Sequence, residues 1–112
     1  MAAHRQEAGA EENQLICDFC SAEIPVWQYP AESFFDQHGS QSVSDWLACE
    51  TCHGLIEAGN RDGLAARVLL TPTAKAGLAS GTLTKKFVIR YARGLHDGFF
   101  QNRRGPARRI AA

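Results

Sequence analysis

Four cysteines, arranged as two Cys-x-x-Cys pairs, are the strongest constraint on what this chain can fold into. Cys17 and Cys20 form the first pair, Cys49 and Cys52 form the second, and 28 residues separate the pairs. Two residues between cysteines allow both sulfur atoms to reach one ion from a tight turn or from the start of a helix. The sequence therefore predicts a single structural Zn²⁺ bound by four thiolates, with no coordination position left open for chemistry.

Other uses of the cysteines explain fewer features of the sequence than a zinc site does. The stretch 49–53 also matches the CxxCH haem-attachment motif, but that use leaves the first pair unexplained. A thioredoxin-like redox pair belongs in a βαβ context, which the sequence does not show. Iron stays open as an alternative because rubredoxins also use two CxxC pairs; glycine follows each pair there, whereas Ser21 and His53 follow here. Structural disulfides would require an oxidising compartment.

Hydrophobic patterning predicts a small α+β fold in which short strands precede helices. Residues 24–29 alternate in polarity, residues 33–35 can form a second strand, and residues 43–48 can return beside the first. A helix is expected to begin at the second cysteine pair and to end at Gly59 and Asn60, since these residues favour the left-handed turn that stops a helix.

Further helices are predicted in the second half of the chain. Asp62 is a candidate N-cap for a short helix over 63–70, and Thr71 followed by Pro72 suits the start of another. Apolar residues with helical spacing predict a long helix over 84–101, which has basic residues on its opposite face. With 112 residues in all, one domain is expected.

A knuckle at the first cysteine pair, a hairpin, and a helix whose first turn supplies the last two ligands resemble a treble-clef zinc finger. The pattern CDFC…VW.YP…DW.ACE.CH.LIEAG also resembles a group of small uncharacterised bacterial proteins. The resemblance implies a structural metal in a bacterial cytoplasmic protein and implies no activity. The predicted organisation is a disordered N-terminus (1–14), a four-cysteine zinc-binding module (15–60), a helical extension packing on it (61–101) and a basic flexible tail (102–112).

The treble-clef resemblance raises one enzymatic alternative, an HNH-like nuclease. The last helix of such nucleases can carry a CxxCH run like that of 49–53. They also need a histidine base on the preceding hairpin, where His38 stands alone in a Gly/Ser loop with no Asn between it and Cys49. His53 is therefore interpreted as a residue on the helix surface or beside the metal, where it would hydrogen-bond a cysteine sulfur or a carbonyl.

Charge is unevenly distributed along a chain whose formal net charge is zero. Residues 1–84 carry a net −7 and residues 85–112 a net +7. The basic residues of the second segment are Lys85, Lys86, Arg90, Arg93, Arg103, Arg104, Arg108 and Arg109. Three interpretations fit this segment: a contact for nucleic-acid phosphates, an intramolecular clasp on the acidic part, or a solvated tail.

The sequence favours binding over catalysis as the function. No Ser/His/Asp or Cys/His pair with supporting context is present, and the metal would occupy the cysteines, so the chain is predicted not to be an enzyme. No secretory signal or apolar run of roughly 18 residues is seen, so a cytoplasmic location is expected, with no membrane or small-molecule partner. The prediction is a zinc-binding regulatory or adaptor protein that contacts nucleic acid through the basic segment, with a protein–protein module as the alternative.

Overall fold

The computed structural model describes residues 15–35, 41–42 and 45–110. The predicted disordered N-terminus, His38 and the first two residues of the predicted strand over 43–48 lie outside these ranges. The described residues confirm an α+β fold. Its strands are β1 (Trp27–Tyr29), β2 (Phe34–Phe35), β3 (Gln41–Ser42), β4 (Trp46–Ala48) and β5 (Arg108–Arg109). Its helices are α1 (Glu50–Glu57), α2 (Arg61–Arg67), α3 (Pro72–Ser80) and α4 (Lys85–Asn102), with a short 3-10 turn (Val68–Leu70) after α2.

The main sheet has three antiparallel strands in the order β4, β1, β5. β1 pairs with β4 so that Trp27 lies opposite Ala48, and this confirms the predicted return of the chain beside the first strand. β2 and β3 form a separate two-stranded hairpin between β1 and β4 in sequence. The hairpin therefore occupies the long connection between the two cysteine pairs.

The start of α2 differs from the prediction that Asp62 caps it. The N-cap is Asn60, whose Oδ1 accepts a hydrogen bond from the Gly63 amide at 2.8 Å. Gly59 adopts a left-handed φ of 71° after α1 and turns the chain, which leaves Asn60 as the first residue able to cap the next helix. Asp62 instead lies in the first turn, where its charge suits the positive end of the helix.

The basic segment at the end of the chain also differs from the predicted flexible tail over 102–112. α4 extends to Asn102, and the chain then returns to the sheet as β5, on the edge of β1 opposite β4. The Ile110 amide donates to the Val26 carbonyl at 3.0 Å, and the Arg104 amide donates to the Pro30 carbonyl at 2.7 Å. The physical reason is that β1 would otherwise present unpaired backbone groups along that edge.

An aromatic core joins the cysteine-bearing part of the chain to the C-terminal helix. The Phe99 ring of α4 lies 5.1 Å from the Phe19 ring, 5.4 Å from the Tyr29 ring and 5.2 Å from the Trp46 ring, centroid to centroid. All four side chains are fully or almost fully buried. The apolar stripe predicted for the long helix therefore packs against the sheet, and the molecule has one shared core. In the described ranges, no helix combines the length and apolarity that crossing a bilayer requires.

Gly98 of α4 is predicted to be required for this packing. A Cβ added there would stand 2.8 Å from Cδ2 of Phe34, a half-buried ring that stacks on Trp46 and would have to shift. We expect Gly98→Ala to lower the free energy of unfolding by about 1–3 kcal/mol, measured by urea denaturation. Gly54→Ala in α1 is the matched control, since nothing lies within 4 Å of its added Cβ, and it should stabilise by up to about 1 kcal/mol. Equal effects of the two changes would contradict the packing argument.

His96 gives the fold a predicted pH dependence. Burial lowers the pKa of His96 from 6.5 to about 4, with a further lowering by Arg61 and an opposing contribution from Asp97. The unfolded chain therefore binds more protons than the folded chain between these values, and stability falls as the pH drops from about 6.5 towards 4. We expect this group to account for a loss of roughly 2 kcal/mol between pH 7 and pH 5. His96→Leu should remove that part of the slope in urea titrations; an unchanged slope would contradict the assignment.

Candidate metal centre

The first two cysteines lie on a tight knuckle that precedes β1. The Ser21 amide donates to the Cys17 carbonyl at 3.0 Å, and Ser21 itself takes a left-handed φ of 51°. The knuckle is tied to β4 because the Asp18 amide donates to the Leu47 carbonyl at 2.8 Å and the Leu47 amide donates to Asp18 Oδ2 at 2.7 Å. These bonds hold the knuckle against the strand that leads directly to the second cysteine pair.

The second pair occupies the start of α1. Cys49 is the N-cap residue of the helix, and its sulfur accepts a hydrogen bond from the Cys52 amide at 3.4 Å. Cys52 lies in the first turn, so one helix start presents both sulfurs to the same point. Glu50 follows the cap and suits the positive end of the helix dipole.

The structure brings the four predicted ligands together. The four Sγ atoms all lie within 4.8 Å of one another, all four side chains are buried, and none forms a disulfide. A tetrahedral ion with metal–sulfur bonds of about 2.3 Å separates its sulfurs by about 3.8 Å. The observed distance between Cys20 Sγ and Cys49 Sγ is 3.9 Å. The cluster therefore has the donor set and the spacing to hold a metal ion.

Crowding perturbs the thiols in a way that a cation would relieve. Hydrogen bonding with Cys20 raises the pKa of Cys17 to about 12, and hydrogen bonding with Cys17 raises the pKa of Cys52 well above its ordinary range. The hydrogen bond from Cys17 lowers the pKa of Cys20. One thiolate is thus stabilised at the expense of its neighbours. Four thiolates at these distances require a positive ion among them.

Arg67, which the sequence does not predict as a site residue, also belongs to this site. Its Nη2 lies 3.6 Å from Cys20 Sγ, 3.6 Å from Cys49 Sγ and 2.9 Å from Glu23 Oε2. The pKa of Arg67 is raised above its ordinary value, first by the hydrogen bond to Glu23 and then by those to the cysteines. Arg67 lies 47 residues from Cys20, so no local spacing in the sequence points to the contact.

His53 follows the last cysteine, but its ring faces β1. Its Nδ1 lies 2.8 Å from the Tyr29 hydroxyl, and its ring stacks on Trp27 with centroids 3.9 Å apart. The Tyr29 hydroxyl donates to Glu57 Oε2 at 2.8 Å, so it accepts from Nδ1–H of His53. The predicted hydrogen bond to a cysteine sulfur or a carbonyl is replaced by this His53–Tyr29–Glu57 chain, which packs α1 on the sheet. His38, the other histidine of the nuclease alternative, lies outside the described residues.

The structure divides the eight basic residues into two groups. The first group consists of Arg93 and the four arginines that follow α4, and all five contact the acidic part of the chain. The ion pairs are Arg93 with Asp62, Arg103 with Glu57, Arg104 with Glu32 and Arg109 with Glu50, and Arg108 donates to Gln28 Oε1 at 2.9 Å. This is the arrangement that the clasp interpretation describes. We call Arg103, Arg104, Arg108 and Arg109, together with their partners, the clasp.

Lys85, Lys86 and Arg90 form the second group, on the first turns of α4. Their side chains are exposed, and the described ranges contain no ion pair for any of them. Together with Ile89 and Arg93 they line an open surface concavity of about 600 Å³. We call Lys85, Lys86 and Arg90 the α4 basic face.

Within the described part of the chain, the cysteine site and the α4 basic face are the features from which a function can be argued. Searches of protein-family models, curated proteins and solved structures found no match to the chain. Its function is therefore inferred from its own residues and their geometry.

Proposed function

We propose that Cys17, Cys20, Cys49 and Cys52 bind one structural Zn²⁺ in a treble-clef-like centre. The convergence of four buried sulfurs on one point carries this proposal. Zn²⁺ favours four thiolates in a tetrahedron, and a site filled by four protein ligands leaves no position for a substrate or an activated water. The ion would supply folding energy, because the knuckle, β4 and α1 all meet at it.

Metal analysis tests the site directly. We expect native mass spectrometry of the purified protein to show one zinc ion per chain, released only on unfolding. Cys52→Ser should lose the metal and most of the folded population, because structural zinc binding contributes about 10–16 kcal/mol and small domains have about 5–15 kcal/mol of stability. Thr51→Ser, at an exposed position between the same two cysteines, is the matched control and should retain zinc. Bound iron, or native stability in Cys52→Ser, would contradict the proposal.

The proposed function of the whole protein is non-enzymatic binding of a macromolecule. The favoured partner is single-stranded nucleic acid, and the surface is the α4 basic face. The clasp is a weaker candidate surface, since contact with phosphates there would compete with Glu32, Glu50 and Glu57 for the same arginines. The α4 basic face has no such competitor among the described residues, so its charges are available to an anion.

An aromatic side chain beside the α4 basic face favours a single strand over a duplex. Phe87 is 46% exposed, and its ring stacks on Tyr91 with centroids 6.5 Å apart. Proteins that bind single strands combine basic side chains for the backbone with exposed rings on which bases stack. Phe87 lies between Lys86 and Arg90 in sequence, so both kinds of contact are available on two turns of one helix.

Salt dependence and charge reversal test this partner. A fluorescein-labelled 20-nucleotide oligothymidine should bind at 50 mM NaCl and weaken about 20-fold at 200 mM, since three phosphate contacts give a slope near −2. Lys86→Glu combined with Arg90→Glu should abolish binding at 50 mM, whereas Lys75→Glu, an exposed charge reversal on α3, should leave binding nearly unchanged. Phe87→Ala should weaken binding by about 1–3 kcal/mol with the salt slope retained.

Two results would exclude the nucleic-acid form of this proposal. One is no binding by the zinc-loaded protein at 50 mM NaCl. The other is an equal loss of binding in Lys75→Glu and in the double variant of the α4 basic face. Either result would leave protein–protein binding as the function to be pursued.

A further inference from the structure

We propose that Arg67 is a positioning residue of the cysteine site. Its guanidinium lowers the electron density on two of the sulfurs and slows the release of the metal. The inference rests on the proposed zinc site and goes beyond it. Arg67 is not a ligand itself, but it would control how tightly the four cysteines hold the ion.

The geometry connects Arg67 to both cysteine pairs at once. Its Nη2 is 3.6 Å from the sulfur of Cys20 in the knuckle and 3.6 Å from the sulfur of Cys49 at the start of α1. Both distances are within hydrogen-bonding range for sulfur. Since each pair supplies one of these sulfurs, the guanidinium bridges the two halves of the site.

Two features hold the guanidinium in this place. The first is Glu23, whose Oε2 accepts a hydrogen bond from Arg67 Nη2 at 2.9 Å. Glu23 is itself held in the knuckle, because its backbone carbonyl accepts a hydrogen bond from the Cys17 amide. Arg67 is also the last residue of α2, a helix that is anchored in the core by the fully buried Leu64 and Ala65. The side chain of Arg67 is only 19% exposed, so its charge is poorly screened by solvent.

The charge of Arg67 matches what a loaded site would need. A divalent ion with four thiolates carries a net charge of −2, and a buried negative charge requires compensation. Arg67 Nε is buried with no hydrogen-bond partner among the described residues. A donor left in this state is unfavourable, and attraction between the guanidinium and the thiolates would offset it.

The chemical consequence follows from the N–H···S contacts. A hydrogen bond to a thiolate withdraws electron density from the sulfur and fixes the sulfur at its position in the site. Metal loss requires each sulfur to separate from the ion, and a sulfur tied to Arg67 separates less readily. Arg67 is thus expected to retard release by acting on Cys20 and Cys49.

Cobalt substitution provides a readout that a purely structural role would not change. In the full-length Co²⁺-loaded protein, Arg67→Gln should shift the sulfur-to-cobalt charge-transfer band to longer wavelength, since sulfurs without N–H donors give up electrons more easily. Transfer of Co²⁺ or Zn²⁺ to excess EDTA should be at least about tenfold faster, the size of effect typical of residues that contact metal ligands. Arg67→Lys should lie in between, because it keeps the charge but loses the planar fork.

Matched variants separate the site effect from general destabilisation. Arg61→Gln, at the other end of α2 and paired with Asp97, should leave the band and the transfer rate unchanged. Glu23→Gln keeps the Arg67 side chain but removes the negative charge of its partner, which weakens the anchor, so it should shift the band in the same direction by a smaller amount.

Three outcomes would overturn the inference. An Arg67→Gln protein with the wild-type band and the wild-type transfer rate would do so. Faster transfer with an unchanged band would also do so, since it would indicate ordinary loss of stability. A wild-type chain that takes up neither Co²⁺ nor Zn²⁺ would overturn the proposed metal site itself, and the inference with it.

Discussion

The convergence of four cysteine sulfurs within 4.8 Å is the constraint on which the rest of this structure depends. It joins two chain segments that are 28 residues apart and brings the knuckle, β4 and the start of α1 to one point. The aromatic core is built immediately next to it, because Phe19 lies within the knuckle and Trp46 lies on the strand leading to Cys49. α4 then covers that core with Phe99. The cysteine site therefore sets the position of the aromatic core, and the core sets the position of α4.

Electrostatics provides the second level of organisation. In the described ranges, four acidic residues of the first part of the chain pair with four basic residues of the last part. These ion pairs connect α1, α2 and the connection after β1 to α4, to β5 and to the residues between them. Exposed pairs of this kind contribute little stability individually. Their collective effect is to decide which positive charges are available to a partner. Within α4, the basic residues without an ion pair in the described ranges are Lys85, Lys86 and Arg90, since Arg93 pairs with Asp62.

Features encoded in local spacing could be predicted from the sequence, and features created by tertiary contact could not. The cysteine pairs and the apolar stripe of α4 are local patterns, and both predictions match the structure closely. Arg67 carries no local signal, since its contact with Cys20 is made by packing α2 beside the knuckle. β5 could not be predicted from the sequence either, because its two arginines have no strand pattern of their own. They form a strand by pairing with the free edge of β1.

The pairing of β5 with β1 has a consequence for the way the chain folds. Gln28 and Arg108 contact each other across 80 residues, which makes this the most distant strand pairing in the described sheet. Closing so long a loop is slow compared with forming the local elements. Until it closes, the central strand keeps one hydrogen-bonding edge open beside Trp27, and an open edge can pair with another chain. The short, arginine-rich strand that finally covers it therefore also protects the newly folded molecule from aggregation.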